Sequence, residues 1–236
     1  DGAVGQLLTT GPDRLVGMGL NLYDVMAVDK LRGRRRRKDE PAEPDEFRDW
    51  ADVGIVLDGR LRTNSLGQGR TLFEHSVQAA ASMADAFLFQ GNRVGLLLYA
   101  NFLAWTLPSY GKVQRERILQ ALARAQPGDS QVFTALEHIP TRLFPPESQL
   151  VVVSPLTEED IVPLRQLRAL GYQVMVISSD PVSLEMSYLK SSPAVEMAAR
   201  IVSMERALLL QRVRRAGVQV LDWRRERVLD LFPFQR

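Results

Sequence analysis

From Asp52 onward the chain alternates short apolar segments with longer amphipathic ones, and no other feature restricts its fold as much. The apolar segments cover 53–57, 94–99, 102–107, 150–154, 173–178 and 218–221. They are bounded by turn residues or charges and lack the alternation of a half-exposed strand, so they read as strands covered on both faces. Thr71 and Glu74 form a capping box that opens a helix whose Phe73, Val77, Ala80, Ala84 and Phe87 recur at helical spacing before Gly91. Ile118, Leu119 and Leu122 mark a second helix over 114–125. A third starts near Thr157, with Ile161, Leu164 and Leu167 on one face, and ends at Gly171. A fourth, over 194–216, is expected to bury Met197, Ile201, Met204 and Leu208 before Gly217. This order predicts an α/β fold: a Rossmann-like, mainly parallel sheet with helices on both faces. The adjacent pair 94–99 and 102–107, joined by a tight turn at Ala100-Asn101, supplies one antiparallel edge strand.

Residues 1–50 lack this regularity. Gly2, Gly5, Gly11, Pro12, Gly17 and Gly19 interrupt short apolar pieces. A basic run through Arg34, Arg35, Arg36 and Arg37 is followed at once by an acidic stretch containing Pro41 and Pro44, the composition of a solvated linker. The boundary is therefore set there, giving an irregular segment over 1–50 and a domain over 51–236.

Composition excludes several chemistries. The sequence has no Cys, hence no disulfide framework, thiol nucleophile or thiolate metal site. That fits a reducing compartment, and the expected location is cytoplasmic. His75 and His138 are the two histidines, and they are not spaced as a zinc pair. The net charge of +2 is small. No aromatics interleave the arginine run, so specific nucleic-acid binding is not expected. The apolar stretch 94–108 is too short to span a bilayer and contains Asn101, so no membrane span is expected in this chain. The chain opens at Asp1, and a membrane attachment through an upstream segment stays open.

Asp58 ends the first strand, VGIVLD, and leads through Gly59-Arg60-Leu61-Arg62 toward a helix. That is where open α/β sheets place their ligands. The bland reading is a strand-end carboxylate paired with a neighbouring Arg. A sharper one makes the guanidinium of Arg60 or Arg62 a built-in cation for the loop. A unit pair at about 4 Å and an effective dielectric of 20 gains about 4 kcal/mol before desolvation.

Across most of 53–222 the segments resemble a von Willebrand factor A domain, specifically the bacterial and archaeal "domain of unknown function 58" family. The resemblance rests on VGIVLDG at 53–59, FEHSVQAAASMADAFLFQGNRVGLLLYAN at 73–101, PLRQLRALGYQVMVIS at 163–178 and MERALLLQRVRRAGVQVLDW at 204–223. Such domains hold Mg²⁺ or Mn²⁺ through an Asp-x-Ser-x-Ser motif, a Thr on a second loop and an Asp after a later strand. Carried over, the resemblance keeps Asp58 and places a hydroxyl, Ser130, at the Thr position. It puts Arg60 and Arg62 where the serines belong and Pro155 where the last carboxylate belongs, so the metal site is expected to be lost.

The resemblance implies a non-catalytic protein–protein interaction module working with a MoxR-type AAA+ ATPase. Asp58, Arg60, Arg62 and Ser130 would mark its binding face. The alternative is an α/β enzyme binding a small anion or nucleotide through Arg60, Arg62 and the loop from Gly67 to Thr71. A third reading is nucleic-acid binding through Arg34 to Arg37, with a steep salt dependence.

Overall fold

The computed structural model describes residues 52–61, 63–64, 71–100, 102–128 and 135–223. Six strands form one sheet: β1 (Asp52–Asp58), β2 (Arg93–Tyr99), β3 (Leu103–Ser109), β4 (Gln149–Val153), β5 (Gln173–Ser179) and β6 (Gln219–Trp223). Their spatial order is β3-β2-β1-β4-β5-β6. β3 pairs antiparallel with β2 at one edge, and every other pairing is parallel. All six expected strands are present, with ends shifted by one or two residues. The expected α/β fold with its single antiparallel edge strand is the one found. The chain leaves β1 toward β2 and later returns to β1's other side as β4. The sheet's topological switch point therefore lies between the carboxyl ends of β1 and β4, the usual crevice for a site.

The alternation of side chains along β1 divides the core. Val53, Ile55 and Leu57 pack into one layer with α1 (Leu72–Phe89) and α2 (Gly111–Ala123). Val56 joins Leu164 and Leu167 of α3 (Ile161–Ala169) on the opposite face. Helices thus cover both faces, and the parallel strands read as continuous apolar runs for that reason. The capping box of α1 forms as expected: Thr71 Oγ1 accepts from Glu74 N, and Glu74 accepts from Thr71 N. Gly91, at φ 84°, takes the left-handed conformation that ends the helix. α3 begins as a 3₁₀ turn over Glu158–Asp160 rather than as α-helix from Thr157. Among the described residues, no helix is long and apolar enough to cross a membrane.

Two features differ from expectation. A short helix, α4 (Pro181–Met186), follows β5; Asp180 caps it and Pro181 opens it. The last helix, α5 (Pro193–Arg215), lies close to its expected span but turns the other way. Met197, Ile201, Met204 and Leu208, expected to be buried, are exposed by 56%, 45%, 61% and 54%. The face it buries carries Arg206, Leu210 and Val213. The larger apolar stripe drew the prediction, whereas the sheet accepts a face of smaller residues with one arginine whose partners lie on β5 and β6. The expected boundary near residue 50 and the turn residue Asn101 lie outside the described residues.

Two glycines let elements approach closely. A Cβ on Gly95 of β2 would lie 2.9 Å from the ring of Pro108 on β3. One on Gly54 of β1 would lie 2.5 Å from the Phe144 ring and 2.8 Å from Leu150. Gly54→Ala is predicted to cost about 1–3 kcal/mol by overpacking. Urea unfolding should show a lower midpoint with an unchanged slope.

Candidate functional site

The loop after β1 is pinned on both sides. Gly59 N donates to Tyr99 O at 2.8 Å, and Gly59 O accepts from Gly128 N at 2.8 Å. Arg60 then starts a tight turn in which Thr63 N donates to Arg60 O. The Asn64 side-chain amide donates to the carbonyls of both Asp58 and Arg60, at 3.1 and 2.9 Å. Held this way, the Arg60 side chain points into the switch point and is 1% exposed.

Its guanidinium lies between two carboxylates. Toward Asp58, Nε donates to Oδ1 at 2.8 Å and Nη2 to Oδ2 at 2.8 Å. Toward Asp160, Nη1 donates to Oδ1 at 3.0 Å and Nη2 to Oδ2 at 2.9 Å. Both contacts are bidentate, the geometry for which the planar guanidinium is suited and an ammonium is not. Each carboxylate also has neutral donors. Asp58 accepts from Arg60 N at 3.0 Å and Ser154 Oγ at 2.6 Å, with Thr63 Oγ1 at 3.2 Å. Asp160 accepts from Leu136 N at 3.2 Å, Thr157 N at 2.9 Å and Thr157 Oγ1 at 3.0 Å. Asp58 and Asp160 are both fully buried.

The loop after β4 is bent to deliver Asp160. Leu156 sits at φ 66°, a left-handed conformation that costs a residue with a side chain about 1–2 kcal/mol. Its N–H is held by Ser154 Oγ at 3.0 Å, the hydroxyl that donates to Asp58. Burial alone would lower the Arg60 pKa. Asp58 first and Asp160 second outweigh it and hold the guanidinium well above its ordinary value. Arg60 is therefore a permanent cation. Tyr99, whose ring centroid lies 6.0 Å from the Arg60 Cζ, borders the cluster. Its hydroxyl donates to Ala135 O at 2.5 Å, and its pKa is pushed up to about 12, chiefly by burial.

The structure therefore joins Asp58 to Arg60 and adds Asp160, a carboxylate that the sequence reading did not name. Sequence reasoning missed Asp160 because it stands five residues beyond Pro155 and looks like an ordinary first-turn acid. Its one signal was the Thr157-x-x-Asp160 spacing of a capping box, which forms. Arg62 and Ser130 lie outside the described residues, as do Gly67 to Arg70 and Arg34 to Arg37. Asp58 and Arg60 are buried, so they offer no surface of their own and act by fixing the loop. At the α1 N-terminus, the Glu74 carboxylate accepts from Thr71 N and Thr71 Oγ1 accepts from Glu74 N, so two of the terminal N–H groups are already taken. His75 stacks edge-on against Trp223, with ring centroids 6.3 Å apart, and His138 lies beside Glu137.

The residues present do not fit a divalent cation. Among the described residues of this crevice, every carboxylate oxygen of Asp58 and Asp160 is committed to Arg60, and a metal would have to displace a bidentate guanidinium. Among the described residues, no group of three His, Asp or Glu converges elsewhere to offer another site.

A second arginine lies along the same rim. Arg206 of α5 donates from Nη1 to Ser178 Oγ at 3.1 Å, and from Nη2 to Ser178 O at 3.1 Å and Asp222 Oδ1 at 2.7 Å. Its Nε is 3.4 Å from Asp180 Oδ1. This contact ties α5 to the carboxyl ends of β5 and β6.

No protein-family model matches the chain. No curated protein matches it either. Among solved structures, it aligns with the crystal structure of an uncharacterized membrane spanning protein from Vibrio fischeri, at 11% identity and a TM-score of 0.23. The alignment covers 76% of this chain and 93% of that one, and a score so low carries no argument about fold or function.

Arg60→Met should lose about 3–5 kcal/mol at neutral pH, because two buried carboxylates then face each other without their cation. The loss is readable from the urea midpoints of the variant and the wild type at pH 7. For the wild type, Mg²⁺, Mn²⁺, Ca²⁺ and EDTA should give the same melting temperature. A rise specific to Mg²⁺ or Mn²⁺ would mean that the cation displaces Arg60.

Proposed function

We propose that this chain is a non-catalytic protein–protein interaction module whose recognition loops are held by an internal cation instead of a metal. The observation that carries the reading is the Arg60 guanidinium between Asp58 and Asp160. It fills the crevice where an α/β sheet of this topology would otherwise admit a ligand, and among the described residues there it leaves neither Asp58 nor Asp160 free for acid–base work. The loops it ties together come from β1, from β4 and from the segment around Leu136. Recognition falls to the exposed groups along that rim. Phe102, 54% exposed just past the carboxyl end of β2, is its largest apolar one. Glu137 and His138 lie on the same rim and are also exposed.

The resemblance to the von Willebrand A-like "domain of unknown function 58" family supports a MoxR-type AAA+ ATPase as the partner, with this chain as an adaptor in protein assembly or activation. The same resemblance assigns Arg62 and Ser130, which lie outside the described residues, to the binding face. A rim built around a buried salt bridge is fixed before binding, so little ordering entropy is lost on association.

Affinity capture from the native host should recover an AAA+ ATPase with wild type, and much less with Phe102→Asp. Phe102→Asp changes an exposed side chain and should leave the melting temperature unaltered. Recovery of no ATPase with wild type would overturn the adaptor reading, and undiminished recovery with Phe102→Asp would move recognition away from this rim.

A further inference from the structure

α5 carries side chains for packing on two opposite sides. Val195, Ala199, Ser203, Arg206, Leu210 and Val213 are buried or partly buried against the domain. Met197, Ile201, Met204 and Leu208 lie about half a turn around the helix and are exposed. They recur at intervals of four, three and four residues over about 16 Å of helix. A solvent-facing helix keeps its outer side polar, and one apolar on both sides lies between two packed layers.

The spacing and the flanking charges identify the second layer. Intervals of four, three and four are the a/d seam of a coiled coil, with Ile201 and Leu208 at a and Met197 and Met204 at d. Ala194 continues the seam at its start, and Gln211 and Arg215 end it. Arg200 then occupies a g position and Glu205 the e position that follows it. In a parallel pair of such helices, g of one faces the next e of the other. Arg200 of each copy would thus meet Glu205 of the other, on both sides of the seam. An antiparallel pair sets g against g, placing Arg200 opposite Ala207 with no ion pair. Among the described residues, neither Arg200 nor Glu205 forms a salt bridge within the chain.

We propose that the chain forms a parallel two-fold dimer through the α5 stripe from Met197 to Leu208. The partner is a second copy because the stripe and its charges are complementary to themselves in one register. The arrangement stacks sheet, α5, α5 and sheet, and it stands independently of any adaptor role.

Sedimentation equilibrium of the full chain at tens of micromolar should give twice the 26.5 kDa chain mass. Ile201→Glu, at an exposed site, should leave far-UV circular dichroism and melting unchanged in dilute solution and yield a monomer. Arg200→Glu should weaken the dimer roughly tenfold by converting two attractive pairs to repulsive ones, and adding Glu205→Arg should restore it. Because the chain has no Cys, Met204→Cys gives a single thiol. In a parallel seam, d faces d within disulfide reach, so mild oxidation should link two chains. A monomeric wild type, a dimer that survives Ile201→Glu, absent charge-swap rescue or failure of the Met204→Cys crosslink would each overturn the proposal. So would a monomer that uses the stripe to bind vesicles containing phosphatidylserine or an unrelated protein.

Discussion

A guanidinium enclosed by two carboxylates at the switch point of a parallel sheet is costly to bury and more costly to break. Removing three charges from water forfeits several kcal/mol of hydration for each. Arg60 recovers this through four charge-assisted hydrogen bonds, and the carboxylates recover more through Ser154, Leu136 N and Thr157. The loops after β1 and β4 have little choice of conformation once these bonds form. Even the left-handed Leu156 follows, because it turns the chain so that Thr157 and Asp160 face the arginine. A bound metal would impose similar order only while loaded; a covalently attached cation imposes it permanently.

The same device recurs in looser form at Arg206. There the arginine comes from a helix rather than a strand-end loop, and its carboxylates are partly exposed. Arg60 closes the centre of the sheet's carboxyl edge, and Arg206 fastens the last helix to its end. Between them, the carboxyl ends of β1, β4, β5 and β6 meet charged side chains whose partners are already supplied. Such a rim presents a fixed shape to whatever approaches it.

Much of this was legible in the sequence, for identifiable reasons. Strands buried on both faces are uninterrupted apolar runs, so β1, β2, β4 and β5 stood out. The capping box at Thr71 and Glu74 announced α1. Asp58 and Arg60 were adjacent enough to suggest a pair. Asp160 was not, because an ion pair across 100 positions leaves no local trace. α5 misled for a different reason. Periodicity reports that a helix has an apolar face but not which layer receives it, and this helix has two. Arg206 could not be read as a core residue, since its burial depends on Ser178 and Asp222 being in place beneath it.

The sheet's other boundary is set by a residue with no charge at all. β3 is an edge strand that exposes Trp105 and Leu107, and a flat apolar edge of that kind invites further strands to add to it. Pro108 sits in that strand, fitted against the space that Gly95 leaves open. Proline has no N–H to offer a ladder, and the irregular register between β2 and β3 at Val94 and Leu96 twists the strand end further. On the side facing β2, the Val94 carbonyl takes its hydrogen bond from the Gln114 side-chain amide instead, at 2.7 Å. Where Gly95 meets Pro108, part of the β2–β3 ladder is thus handed to a side chain of α2, whose amide also reaches the Leu107 carbonyl and so ties that helix to the edge strand.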